Sequence, residues 1–266
     1  HTGFRAEIAG PDRRRDKLVV GAIGQLAVQR AFRRVASFDD ATALRIARPW
    51  VIHNVPAAAE YADTGQGMLR KRLGLDSSVP LVVYKGDIAA ARGLEPFMQA
   101  LPQFPSVHFA LIGDGPLTKR LRGVAAELSL EARVHFVGRI APSEFAAHLR
   151  DADLGHVMHE NIGLNMTITL PSRLFDYMHA GLPVLCGTGP EISGIVKEHA
   201  IGWSADPADP KSIAAALTAF LQARESLAPF RQRALQAAQS YCWEREREVY
   251  LKYVREALGP ASDPHD

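Results

Sequence analysis

From residue 80 to residue 224 the chain alternates two kinds of segment, and that alternation restricts the folds open to it. Short apolar runs, PLVVYKG (80–86), VHFALIGDG (107–115), RVHFVGR (133–139), DLGHVM (153–158), PVLCG (183–187) and IGWSA (201–205), read as buried strands. Longer amphipathic segments at 93–104, 117–130, 142–152, 171–181, 190–200 and 209–224 carry helical spacing. A strand that is apolar along its whole length is covered on both faces, and a helix between two such strands joins them in parallel. The expected fold class is therefore α/β, a doubly wound parallel sheet. In open sheets of this kind ligands bind beyond the carboxyl ends of the strands. The loops to inspect are then 86–93, 113–116, 138–142, 158–173 and 187–191, all opening on one edge.

The remaining sequence narrows the function by exclusion. A chain of 266 residues suffices for one large domain or two modest ones, and 47% hydrophobic with 23% charged residues is ordinary globular material. A net charge of only +2 argues against a dedicated nucleic-acid binder, and the short run Arg13 to Arg15 reads as a solvated tail. Cys186 and Cys242 stand far apart, as in a reducing compartment. No apolar run reaches the ~18 residues of a membrane-spanning helix, and no signal peptide is evident. The chain starts with His rather than Met and reads as a piece of a longer protein. Residues 17–34 have helical spacing, Ser37, Asp39 and Asp40 look like capping residues, and WVIHNVPAA (50–58) reads as a short strand and a turn.

The loops offer a seat for an anion. Their glycines let backbone N–H groups approach a ligand, and helix N-termini add free donors and partial positive charge. Arg92 closes the first loop, and Arg173 lies in the first turn of a helix opened by Pro171. Guanidinium forks match phosphate oxygens. Asp176, three residues after Arg173, shares its helix face and could accept from two vicinal hydroxyls. Each feature alone has a plainer reading: Gly113–Asp114–Gly115 as a turn, Arg173 and Asp176 as a weak ion pair, Gly181 as a helix cap. Their order along one predicted edge favours the site. No Asp-x-Asp, His-Glu-x-x-His or paired-cysteine motif suggests a metal. His156 and His159, three apart at a strand end, fall on opposite faces, and His108 and His135 read as packed beside strands. A phosphate loop, a nucleophile elbow and a Gly-x-Gly-x-x-Gly fingerprint are likewise missing, the last arguing against a dehydrogenase.

These runs, together with TLPSRLFDYMHAGLPVL (169–185) and IGWSADPADPKSIAAAL (201–217), resemble the C-terminal, donor-binding domain of GT-B glycosyltransferases. The resemblance covers roughly residues 50–250 and points to retaining enzymes that bacteria use for glycan and glycolipid assembly. It implies a Rossmann-like half, with residues 1–48 as a remnant of the acceptor domain, 49–240 as the nucleotide-sugar domain and 241–266 as a crossing helix and tail. Arg92 and Arg173 would hold the donor diphosphate and assist catalysis; Asp176 would hold the ribose, Arg139 and Ile140 would meet the base, and Gly86, Gly113, Gly115 and Glu191 would line the donor cleft. The donor would be a UDP- or GDP-linked sugar and the acceptor a glycan or glycolipid. No metal or other cofactor is implied. The isolated piece would have little activity without the missing N-terminal domain. The resemblance implies a cytoplasmic enzyme, with peripheral contact to the inner face of the membrane for the full-length protein. Three positions depart from the family pattern. Ile168 replaces a Glu, Asp87 stands where many relatives carry Arg and leaves Lys85 to compensate, and Asp176 is one methylene shorter than the usual Glu. These departures keep two rivals open: a non-catalytic nucleotide-binding or scaffold domain, and a sugar-nucleotide epimerase of the same fold. Nucleotide binding and product analysis discriminate among them.

Overall fold

The computed structural model describes residues 35–36, 50–62, 65, 67–160, 162 and 169–258. The expected helix at 17–34, the capping residues Ser37, Asp39 and Asp40, and Ile168 lie outside them. Six parallel strands form the main sheet: β1 (Leu81–Lys85), β2 (His108–Ile112), β3 (Val134–Gly138), β4 (Leu154–Val157), β5 (Val184–Cys186) and β6 (Gly202–Ser204). Their order is β3-β2-β1-β4-β5-β6. The Rossmann-like doubly wound sheet expected from the sequence is the sheet observed, with each strand inside its apolar run.

Alternation along the strands feeds two cores. Val82 and Tyr84 face one way, with Phe97, Phe109, Leu121, Ile213 and Phe220; Leu81 and Val83 face the other, with Leu174, Phe175, Met178 and Val184. The first core lies under α2 (Leu94–Ala100), α3 (Thr118–Glu127) and α7 (Pro210–Ala223). The second lies under α1 (Met68–Leu73), α4 (Phe145–Arg150), α5 (Ser172–His179), α6 (Pro190–Glu198) and α8 (Ala228–Ala238). Rings such as Phe97 and Phe109, fully buried with centroids 4.5 Å apart, each contribute about 1.5–3 kcal/mol by burial.

A final helix, α9 (Trp243–Leu258), returns to the start of the described chain. Glu246 accepts from the His53 backbone N–H at 3.1 Å and meets its Nδ1 at 2.7 Å, and the Trp243 N–H donates to Pro56 O. Residues 50–51 pair in parallel with Val35–Ala36, so a short strand does form in the 50–58 segment.

Strand order reverses between β1 and β4, and there the sheet opens. Their ladder covers only Val82 with Leu154 and Val83 with Gly155. Beyond it the Lys85 N–H donates to the Tyr177 hydroxyl at 3.0 Å, while that hydroxyl lies 3.2 Å from His156 O and 3.3 Å from Val83 O. A side chain from α5 thus replaces the missing ladder bonds. Gly155 makes this possible, because a Cβ there would sit 2.5 Å from the Tyr177 ring. The carboxyl ends of β1 and β4 diverge into a crevice, as expected of a topological switch point.

Candidate functional site

Two adjoining cavities occupy that crevice. The larger, about 470 Å³, is lined by Lys85, Gly86, Asp87, Arg92, His159, Thr169, Pro171, Ser172 and Arg173. The smaller, about 200 Å³, is lined by the same Lys85–Gly86–Asp87 corner with Ile112, Gly113, Asp114, Arg139, Ile140 and Phe145. The walls are therefore the first residues beyond β1, β2, β3 and β4, with the N-terminal turn of α5. Helix α5 begins at Ser172, with Pro171 as its N-cap in extended conformation, one residue later than the sequence suggests.

His159, two residues past the end of β4, organises the larger cavity. Its Nε2 lies 3.2 Å from Arg92 Nη1 and 2.9 Å from Arg173 Nη2. Guanidinium nitrogens only donate, so Nε2 accepts from both and the ring proton sits on Nδ1. Burial, then the charges of Arg173 and Arg92, push the His159 pKa down to about 3, so the ring stays neutral. Arg173 is buried beneath the cavity, with its Cζ 4.6 Å from the Tyr84 ring centroid and Nη1 3.4 Å from Lys85 O. The Arg92 pKa is held below the usual arginine value by burial and then by the charge of Arg173. Two cations brought together around an uncharged acceptor repel each other, and an anion relieves that repulsion. Arg92 itself sits on a constrained loop: Ala91 has φ 59, and its carbonyl accepts from the Glu160 N–H at 3.2 Å.

The structure brings together several residues singled out by sequence and separates others. Arg92, Arg173 and Gly86 line the larger cavity; Gly86, Gly113, Arg139 and Ile140 line the smaller. Gly113 meets Gly86 back to back, so that a Cβ on it would fall 1.9 Å from Gly86 O; its φ of 143 also favours glycine. Gly115 lines neither cavity. It packs on the Ile88 backbone, where a Cβ would lie 2.5 Å from Ile88 O, and it serves the turn. Glu191, in the first turn of α6, lines neither cavity.

Asp176 departs furthest from its expected place. It is 6% exposed and lines neither cavity; Oδ1 accepts from the Tyr61 hydroxyl at 2.8 Å and Oδ2 from Lys85 Nζ at 2.6 Å. Its carboxylate is committed inside the protein instead of being presented to the crevice. Sequence reasoning missed His159 in its anchoring position and Tyr61 altogether. The available signal for His159 was its place just past a strand at the reversal point; none marked Tyr61, which meets Asp176 across 115 residues of chain.

Among the described residues no group of three or more His, Cys, Asp or Glu could hold a metal ion, and no helix is long and apolar enough to cross a membrane.

A family model described as glycosyl transferases group 1 matches residues 66–237. A probable glycosyltransferase, WbjE, of Pseudomonas aeruginosa is 32% identical over 133 residues, 48% of this chain and 32% of that protein. The chain spans about a third of the length of the curated relatives it matches. Among solved structures, sucrose-phosphate synthase from Thermosynechococcus elongatus superposes with a TM-score of 0.70 at 20% identity, covering 91% of this chain and 65% of that one. Anabaena HepE in complex with UDP-glucose gives 0.59 at 22% identity, covering 78% and 56%.

Proposed function

Because this chain belongs to the group 1 glycosyl transferases, we propose that it is the donor-binding half of an enzyme that moves a sugar from a nucleoside diphosphate to an acceptor hydroxyl, with retention and without a metal ion. The observation that carries the reading is the convergence of Arg92 and Arg173 on the neutral His159 beside a cavity of about 470 Å³. Charge builds on the diphosphate as the glycosidic bond breaks. Fixed guanidinium groups aimed at that charge stabilise it without reorganising, and take the part a divalent cation plays elsewhere. The smaller cavity, with Ile112, Ile140 and Phe145 on its walls, would take the base. We expect the donor to be a UDP- or GDP-linked sugar. The complex of the structurally similar HepE with UDP-glucose favours the first, and the GDP-mannose-dependent relatives favour the second. The acceptor would be a glycan or a glycolipid, bound by a preceding domain.

The test is a thermal-shift series with UDP, GDP and their sugar conjugates. We expect one nucleotide diphosphate to raise the melting temperature and Arg92→Ala to abolish the rise. A shift that survives loss of both Arg92 and Arg173 would contradict the assignment. The chain alone should turn over donor only marginally, and robust transfer by it would contradict the reading of a donor-binding half.

A further inference from the structure

The buried contacts of Asp176 give this corner of the crevice a different arrangement from the one expected. We propose that Lys85, steered by Asp176 and Tyr61, is the member of this trio that touches the donor diphosphate, and that Asp176 is a positioning residue with no contact to the ribose. The inference rests on the donor-binding reading above and assigns this site's chemistry in finer detail.

Three observations carry it. First, both oxygens of Asp176 are engaged, one by the Tyr61 hydroxyl at 2.8 Å and the other by the Lys85 ammonium at 2.6 Å. The carboxylate is 6% exposed and lines neither cavity, so both bonds hold it on the protein side of the wall and away from a ribose in the crevice. Burial, then the Asp176 charge, raises the Tyr61 pKa, which keeps its hydroxyl protonated and donating. Second, Lys85 closes β1 and is shared by the walls of both cavities, at the junction where the diphosphate lies if base and sugar occupy the two sides. An ammonium has three N–H donors, of which Asp176 takes one. The Phe145 ring, 4.1 Å from Nζ, confines the side chain further. Third, Asp87 also stands on both walls, exposed, and opposes the entry of an anion; its charge acts on Arg92, and Lys85, on the same two walls, adds a further cation there.

Lysine is flexible, and an unanchored ammonium at this corner would be lost to solvent. Held by a carboxylate that Tyr61 in turn orients, it becomes a fixed charge. Asp176 then acts on the ligand only through Lys85.

Calorimetric titration can separate the two roles of Asp176. The probes are UDP and GDP, the 2′,3′-dideoxy analogue of whichever binds, and its monophosphate. The proteins are the chain itself and its Lys85→Ala, Asp176→Asn and Tyr61→Phe variants, with thermal melts to check folding. We expect Lys85→Ala and Asp176→Asn each to weaken the diphosphate by about tenfold or more, the loss of one charge-assisted contact, and the monophosphate by much less. The preference for ribose over dideoxyribose should be the same in wild type and Asp176→Asn, and Tyr61→Phe should cost about threefold. If the ribose preference collapses in Asp176→Asn, or if Lys85→Ala leaves diphosphate affinity intact, the proposal is overturned. Failure of the wild-type chain to bind either nucleotide would sink the donor-binding reading itself, a result distinct from both.

Discussion

Arginines gather at both ends of the sheet, and the two gatherings are built on opposite principles. At the amino ends of the strands, Arg70, Arg224 and Arg231 surround Asp153, at 2.9, 3.4 and 3.8 Å. Carbonyl oxygens take further donors: Arg70 reaches those of Asp76, Val79 and Asp151, and Arg231 that of Ala152. At the carboxyl ends Arg92 and Arg173 share a neutral imidazole, and Arg173 stacks on an aromatic ring. The first set is held by a negative charge and ties α1, α8 and the turn after α7 to the sheet. In the second, the imidazole of His159 orients both guanidinium groups and carries no charge of its own. The same residue type thus meets a carboxylate at one end and a neutral imidazole at the other, the end where we propose that the diphosphate binds.

Mutations at the two ends should separate cleanly. The largest effect we expect is on binding: Arg92→Ala with Arg173→Ala should weaken nucleoside diphosphate affinity by about a thousandfold, two charge-assisted contacts of roughly 2 kcal/mol each. Calorimetry should find that Arg231→Ala leaves that affinity unchanged. Next in size, Asp153→Ala should cost roughly 3 kcal/mol of stability in urea denaturation, because it strands partly buried cations, again without changing affinity in the folded protein. Were Arg231→Ala to weaken the ligand as much as Arg173→Ala, the contrast between the ends would fail.

Sequence and structure agree where the signal is local. Every strand of the main sheet fell inside an apolar run because burial on both faces demands continuous hydrophobicity over a few neighbouring residues. Helix α8 was not expected, since its buried face is made of Ala234, Ala237 and Ala238, too small to mark a stripe among its glutamines and arginines. Helix α1 was missed for a related reason: six residues with one buried leucine, Leu69, give little periodicity. In the crevice, Arg92 and Arg173 were legible from loop position and residue type. The commitment of Asp176 was not, because its partners Tyr61 and Lys85 are 115 and 91 residues away. His159 was hidden by ambiguity, since a histidine after a strand more often packs than organises.

Acid should destabilise the carboxyl end of the sheet. His156 and His159 are both held neutral, with pKa values pushed down by burial to about 3. In the unfolded chain each would titrate near 6.5, so below that pH the unfolded state binds more protons and folding stability falls with pH until about 3. Each group contributes up to about 1.4 kcal/mol per pH unit in that window. Thermal melts from pH 7 to pH 4 should show the decline, and His159→Gln should show a shallower one. An unchanged slope in that variant would mean that His159 is not the neutral anchor described here. The smallest effect belongs to the exposed pair of Arg120 and Glu95, 2.9 Å apart. Solvent screens it, so Glu95→Gln should move neither melting temperature nor affinity measurably.

The most direct test is a crystal structure of the chain with the nucleoside diphosphate it binds. The account predicts phosphate oxygens within hydrogen-bond distance of Arg92 and Arg173, in the crevice between β1 and β4. Phosphates resting on the Arg70, Arg224 and Arg231 end of the sheet, or anywhere away from His159, would contradict it.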